Sequence, residues 1–358
     1  MTASAAQPRT LPDLSVAELA SWMQGNGFNA AHAPRVIRSL LAAEQPKKRA
    51  DFLLPEKLEE PLKAAFAAEA GALAQKQVSA DGTAKLLLCL RDGRTVESVL
   101  MPDYREDRAS GCISSQVGCA MGCDFCATTQ TGFERNLTSG EIIEQFCHLR
   151  REAHLVGRVL RTIVFMGMGE PMLNLKNVLP AIERIADPKL GAFGWRQITV
   201  STVGIVPGIE ELRNADLGVH LAISLHAPDD ATRADLLPIG RRFDVGEVLE
   251  AADRYQEQSG RITTIQYCLL EGVNDSLAQA RDLARLLAGR RMHVNLLRYN
   301  PTGLSLKGRS YLPSSLEQTE AFLAELRAHG TVTHLRRARG PDIDAACGQL
   351  RRRASLGV

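Results

Sequence analysis

Apolar positions along the chain follow two spacings. From Leu14 to about Gln75 they recur at helical intervals: Val16, Leu19, Ala20 and Met23 share one face, and Val36, Ile37, Leu40 and Leu41 form a second stripe. Residues 51–61 read as a loop leading into a helix, and Gly71 interrupts the pattern. From Lys76 to Met101 the period shortens. Lys85-Leu-Leu-Leu-Cys-Leu90, the turn Arg91-Asp-Gly-Arg94 and Thr95-Val-Glu-Ser-Val-Leu100 predict two strands joined by an Asp-Gly turn. After residue 105, β-branched runs alternate with helical segments. Strands are predicted over 112–115, 162–166, 197–202, 219–225, 262–270 and 294–298, and helices over 139–151, 177–187, 207–214, 245–258 and 277–287. About six β-then-α units with short connections imply a parallel sheet, open or curved into an incomplete barrel. In such sheets function sits on loops after the strands. Gly167-Met-Gly-Glu-Pro171, Val203-Gly204, His226-Ala-Pro228 and Tyr299-Asn-Pro-Thr-Gly303 occupy those places.

Composition narrows the class. A chain of 358 residues that is 45% hydrophobic, with 43 basic against 41 acidic residues, can bury a large core and is not disordered as its main state. No apolar run of membrane-spanning length occurs, and residues 1–7 lack the basic start and apolar centre of a secretory signal, so a cytoplasmic location is expected. Thiols stay reduced in that compartment, so the 8 cysteines call for chemistry other than a disulfide framework. Cys89, Cys147 and Cys268 are scattered and read as ordinary apolar residues. Cys112, Cys119, Cys123 and Cys126 crowd together, and Cys347 stands near the C-terminus.

Cys119-Ala-Met-Gly-Cys123-Asp-Phe-Cys126 offers three soft thiolates within one loop, which suits zinc or an iron-sulfur cluster. Structural zinc wants four ligands in a closed site, and no neighbouring Cys pair or His pair completes one. A cubane held by three cysteines leaves one iron open, which is useful where something else must bind.

Cys-x3-Cys-x2-Cys at the start of a β/α array resembles the radical S-adenosylmethionine (SAM) superfamily. A sharper likeness comes from Gly111-Cys-Ile-Ser-Ser-Gln-Val-Gly-Cys119, Gly132-Phe-Glu-Arg-Asn-Leu-Thr138, Phe165-Met-Gly-Met-Gly-Glu-Pro171, Ile223-Ser-Leu-His-Ala-Pro228 and Asp342-Ile-Asp-Ala-Ala-Cys-Gly-Gln-Leu350. Together these resemble the RlmN and Cfr family, whose members methylate a ring carbon of an adenosine in 23S ribosomal RNA. The resemblance spans roughly Val96 to the C-terminus. It implies an incomplete (β/α)6 radical SAM barrel over residues 106–340, an α-helical N-terminal accessory domain over 1–75, a small β linker over 76–105 carrying Glu97, and a C-terminal loop and basic tail over 341–358 carrying Cys347.

The resemblance also implies a role for each motif residue. Carbon 2 and carbon 8 of adenine are electron-poor and will not attack the methyl of SAM directly, so a radical is needed and the protein's task becomes orientation and shielding. A 4Fe-4S cluster on Cys119, Cys123 and Cys126 would bind SAM, two of which are used per turnover. Cys347 matches the methyl carrier, Cys112 the thiol that resolves the covalent protein-RNA intermediate, and Glu97 the base that takes the ring proton. By position alone, a lone glutamate in an alternating strand reads as a solvated-face residue. Gly169, Glu170, Ser201, Ser224, Leu225, His226 and Asn300 match SAM-binding positions, although His226 by itself reads as a satisfied loop histidine.

Net charge of +2 creates no global basic field, but Arg336, Arg337, Arg339, Arg351, Arg352 and Arg353 cluster around the Cys347 segment and could hold phosphates. Trp195, Phe133 and Tyr299 are candidates for base stacking. Residues 35–43 lack the aromatic side chains usual in that helix of the family. Gly169-Glu-Pro-Met-Leu-Asn174 looks like the carbon 2 branch, whereas Arg298-Tyr-Asn-Pro-Thr302 and Asp187-Pro-Lys-Leu190 look closer to the carbon 8, antibiotic-resistance branch. The expectation is a monomeric RNA methyltransferase acting on carbon 2 in 23S rRNA, with tRNA as a further substrate and a flavodoxin or ferredoxin reductase system as electron donor. Carbon 8 methylation is the alternative, and a non-catalytic zinc or iron-sulfur RNA-binding module the distant one.

Overall fold

At Gly71, where the helical spacing is interrupted, a ten-stranded sheet begins. The structure is a computed structural model that describes residues 9–42 and 56–350. Helices α1 (Val16–Gly25), α2 (Ala33–Leu41) and α3 (Glu56–Ala65) precede the sheet. α1 begins at Ser15 because the Ser15 hydroxyl accepts from the Glu18 N–H while the Glu18 carboxylate accepts from the Ser15 N–H. Strands β1 (Gly71–Val78), β2 (Ala84–Leu90), β3 (Thr95–Pro102) and β4 (Arg108–Cys112) then pair antiparallel in order. A separate ribbon of β5 (Gln116–Gly118) and β6 (Phe133–Asn136) brackets a short helix α4 (Ala127–Gln130).

The array continues through α5 (Ser139–Leu155), β7 (Val159–Phe165), α6 (Leu175–Ala186), β8 (Ile198–Thr202), α7 (Val206–Asn214), β9 (His220–Ser224), α8 (Asp230–Leu236), α9 (Val245–Ser259), β10 (Thr263–Leu269), α10 (Leu277–Leu287), β11 (Met292–Arg298), α11 (Leu316–Ala328) and β12 (Thr333–Arg336). From β4 through β7 to β12, sheet neighbours are parallel and follow chain order, as helical crossovers of one hand produce. Residues at the C-terminal ends of β7 to β11 line one cavity. Flat, five strands would spread over roughly 19 Å, so the sheet is curled. Its edge strands β1 and β12 do not pair with each other, and the barrel is incomplete.

The structure corrects several expected boundaries. A division at residue 75 falls inside β1, an edge strand with a largely exposed, polar face and therefore a weak hydrophobic rhythm. The β linker extends the barrel sheet and is not a unit of its own. One core runs from Leu19 and Met23 in α1 and Ile37 in α2, through the barrel, to Ala345 and Leu350. The N-terminal helices are fastened to the barrel: the Gly140 N–H donates to Asp13 Oδ1 (2.8 Å), and the Arg150 guanidinium donates to the Leu41 carbonyl (2.9 Å). The first parallel strand ends at Cys112 where it was expected to begin, because Arg108-Ala-Ser-Gly-Cys112 carries small residues without a clear alternation. Gly111 is one of these, and a Cβ there would meet Leu149 Cδ1 at 2.9 Å.

Candidate active site

The cysteine loop is held open towards the barrel by bonds to its backbone and to Asp124. Gly118, at φ +76°, allows β5 to pair with β6; a Cβ there would lie 1.8 Å from the Gly132 carbonyl oxygen, which accepts the Cys119 N–H at 3.1 Å. Thr129 Oγ1 donates to the carbonyl groups of Cys123 (3.0 Å) and Cys126 (2.9 Å). Asp124, buried between two of the cysteines, accepts from the Lys307 N–H (2.9 Å) and the Tyr311 hydroxyl (2.6 Å). Cys119, Cys123 and Cys126 thereby line a cavity of about 1010 Å3, measured to its open mouth.

The donor set fits an iron-sulfur cluster. Burial, and repulsion from the neighbouring thiols and Glu170, push Cys119 up to about 12 and Cys123 well above the ordinary thiol range. Cys119 and Cys123, two thiols that resist ionisation, are what a cationic metal centre relieves, since metal binding deprotonates its thiol ligands. Among the described residues no three His, Cys, Asp or Glu close around a single metal ion. A cubane makes no such demand, because each cysteine binds a different iron.

Around the same cavity stand Gly169, Glu170, Ser201, Ser224, His226 and Asn300. Burial raises the Glu170 carboxyl to about 7. Its two oxygens accept the N–H groups of Met172 (3.1 Å) and Val203 (3.0 Å), and its own N–H donates to Gln116 Oε1 (2.9 Å). His226 sits in the left-handed region at φ +60°. Its Nδ1 accepts the Cys268 N–H at 3.0 Å, so the ring presents Nε2–H as its donor. Burial lowers its pKa to about 3, which keeps it neutral. Leu225 is different: its side chain is in the core and is absent from the cavity wall. Cys268, read from sequence as an ordinary apolar residue, lines the cavity.

Cys347 is exposed and lines two adjoining cavities. Its carbonyl accepts from Asn300 Nδ2 (3.3 Å), and the Gly348 carbonyl accepts the Ala127 N–H (2.8 Å). A second cavity of about 660 Å3 adjoins the first and shares Cys347, Asn300 and Met166 with it; Cys112 is in its wall. Burial and the proximity of Cys347 push the Cys112 thiol far up, so it rests protonated.

Glu97 is not on a solvated face. It is 1% exposed and paired with Lys85, itself 3% exposed, at 3.3 Å. β3 is covered on both sides over residues 95–100, which defeats an inference from alternation. Lys85 was hidden in an apolar run, and only its position inside that run could have marked it. Arg336, Arg337 and Arg339 line both the Cys112 cavity and a neighbouring groove of about 1350 Å3, while Arg351, Arg352 and Arg353 lie outside the described residues. Beside the groove, Tyr104 is 80% exposed with the Arg339 guanidinium 5.8 Å from its ring centre. Of the stacking candidates, Tyr299 is buried in the cavity wall and Trp195 packs on the core, leaving Phe133 exposed.

Residues 113–284 match the sequence model of the radical SAM superfamily. A protein of Opitutus terrae described as "Probable dual-specificity RNA methyltransferase RlmN 1" is 63% identical over 350 residues, covering 98% of this chain and 99% of that protein. The "Dual-specificity RNA methyltransferase RlmN" of Syntrophobacter fumaroxidans is 39% identical, covering 96% and 98% respectively. Among solved structures, a radical SAM methyltransferase from Sphaerobacter thermophilus superposes with a TM-score of 0.88 at 40% identity, covering 96% of this chain and 99% of its own.

Proposed function

The chain belongs to the RlmN and Cfr family of radical SAM RNA methyltransferases, and from that membership we propose that it methylates carbon 2 of an adenosine in 23S rRNA, and also tRNA, with Cys347 as the methyl carrier. The observation that carries the reading is the place of Cys347 at the junction of two cavities, one walled by Cys119, Cys123 and Cys126 and the other by Cys112. The RlmN names and dual specificity of the relatives favour carbon 2 and a second RNA class over carbon 8.

Cys119, Cys123 and Cys126 would hold the 4Fe-4S cluster, and Gly169, Glu170, Ser201, Ser224, His226 and Asn300, which line the same cavity where Leu225 does not, the SAM. Bound there, cluster and SAM would supply the radical that takes hydrogen from the methyl group on Cys347, with two SAM used per turnover. The Glu170 oxygens accept the N–H groups of Met172 and Val203, and the carboxylate's remaining acceptor capacity would take an ammonium group. The small neighbours Ala345, Ala346 and Gly348 let the carrier sulfur approach both cofactor and base. Once its carbon has bonded to the adenine ring, and the radical adduct has passed one electron to the acceptor that the cluster would supply, Glu97 takes the ring proton. Cys112, deprotonated to its thiolate, then attacks Cys347 Sγ; the electron pair of the broken sulfur–carbon bond stays on the carbon, which takes up a proton as the methylated base leaves, and a disulfide remains. Arg336, Arg337, Arg339 and Tyr104 would hold RNA beside the cavity by phosphate contact and stacking. An external one-electron donor of the flavodoxin or ferredoxin kind, monomeric action and a cytoplasmic setting complete the reading; no described helix is long and apolar enough to cross a membrane.

The test is nucleoside mass spectrometry of ribosomal and transfer RNA from cells with and without this chain. The 2-methyl isomer should appear in both RNA classes. The 8-methyl isomer would transfer the chain to the other branch, and loss of neither would remove the reading.

A further inference from the structure

Lys85, Val99 and Cys112 form one row across the sheet: Lys85 lies opposite Val99 between β2 and β3, and Val99 opposite Cys112 between β3 and β4. Directly opposed residues share a face. Val99 and Cys112 line the cavity that Cys347 lines, and Glu97, two residues from Val99, is on that face too. Lys85 therefore shares the sheet face that carries the cavity, on a strand to which the family likeness assigns nothing, although neither it nor Glu97 is in the cavity wall.

Its ammonium contacts two parts of the site. It is 3.3 Å from Glu97 Oε1, and it donates to the Asp344 carbonyl at 3.3 Å. Asp344 is three residues before Cys347 and sits in the left-handed region at φ +53°. The segment leading to Cys347 is gripped from the same side by the β1–β2 turn, where Ser79 Oγ donates to Asp342 Oδ1 (2.5 Å) and Asp81 Oδ2 accepts the Gly340 N–H (3.2 Å). A carboxylate as buried as Glu97 keeps its charge only beside a counter-charge, and a neutral acid cannot take a proton.

We propose that Lys85 is a positioning residue that keeps Glu97 ionised and ties it to the Cys347 segment, so that base and carrier are presented to the adenine as one unit. This rests on the reading of Glu97 as the base. It adds a requirement that the family pattern does not contain: the step after carbon–carbon bond formation depends on a side chain that touches neither RNA nor SAM.

The experiment compares wild type, Lys85→Met, Lys85→Arg, Glu97→Gln and the double variant Lys85→Met/Glu97→Gln. The first readout is the ratio of covalent protein-RNA adduct to methylated product in single turnover. Lys85→Met and Glu97→Gln should each raise it at least tenfold, and Lys85→Arg should return it to within about threefold of wild type. A wild-type ratio in Lys85→Met, with adduct accumulating in Glu97→Gln, overturns the positioning role and leaves the base assignment standing; a wild-type ratio in Glu97→Gln overturns the base assignment itself. The second readout needs no cofactor or RNA. Alkylation of Cys347 by iodoacetamide should quicken several-fold in Lys85→Met, whose Cys347 segment has lost its brace, and an unchanged rate overturns the tie. The double variant removes both charges of the pair and should melt closer to wild type than Lys85→Met does, which separates loss of the brace from general misfolding.

Discussion

Glu144 shows what a single buried carboxyl does to this protein. It lies in α5, accepts the Ala70 N–H at 3.1 Å, and burial raises its pKa to about 7 from 4.5. Below the lower value both folded and unfolded chains hold the proton, and the group is neutral to stability. Between the two values the unfolded chain releases it first, so stability falls as pH rises, by up to roughly 3 kcal/mol above pH 7. Glu144→Gln should therefore raise the melting temperature by several degrees at pH 8 and leave it unchanged at pH 4, as thermal denaturation across pH will show. At the cluster, replacing Cys119, Cys123 and Cys126 by Ala should abolish iron and sulfide in anaerobically purified protein; metal retained by the triple variant would contradict the assignment. Residue by residue, legibility in the sequence followed spacing. Three cysteines in eight positions announce shared chemistry, and the structure gathers them. Glu97 and Lys85 carry no such spacing; each is one charge in an apolar strand, and the register of the β2–β3 hairpin, which sets Leu87 opposite Glu97 and Lys85 opposite Val99, is what makes them diagonal neighbours.

Among the elements, α5 decides how the N-terminal segment attaches. Its first turn is capped by Thr138 and, across the chain, by Asp13, whose carboxylate accepts the Gly140 N–H. Intrinsic propensity favours Ala over Gly within a helix by about 1 kcal/mol. Here a Cβ on Gly140 would stand 2.5 Å from Asp13 Oδ1 and 2.8 Å from the Asp13 backbone nitrogen, so the steric conflict outweighs propensity. Gly140→Ala should lower the melting temperature and speed proteolysis within residues 9–42, followed by mass spectrometry of the fragments. Helices with a strong apolar stripe were legible nearly to their ends: α10 is found over the residues its pattern predicts, and α7 begins one residue early. β1 and β12 were not, because an edge strand with one solvated face and a strand of four residues each lack enough apolar positions to set a rhythm.

On the scale of the whole molecule, helices that read as an accessory domain share one continuous core with the barrel. Removing residues 1–65 would uncover the α5 surface against which Leu41 and its neighbours pack. The shortened chain should aggregate or melt well below the full one, whereas an autonomous barrel would melt unchanged; light scattering with calorimetry distinguishes the two. The last described residues complete the molecule from the other end: Thr128 Oγ1 donates to the Leu350 carbonyl at 2.5 Å, Gln349 Nε2 donates to the Pro301 carbonyl at 3.3 Å, and between these anchors and the β1–β2 turn the segment bears Cys347. In the proposed cycle a bond from Cys347 to Cys112 closes a loop of about 235 residues, worth on the order of 5 kcal/mol through the unfolded chain's lost freedom. Each turnover would then leave the protein latched, with most of its length cinched into a ring until a reductant opens it. Calorimetry of enzyme stopped after one turnover should show a melting point that falls when a thiol reductant is added, so that heat resistance itself reports whether the molecule is spent or ready.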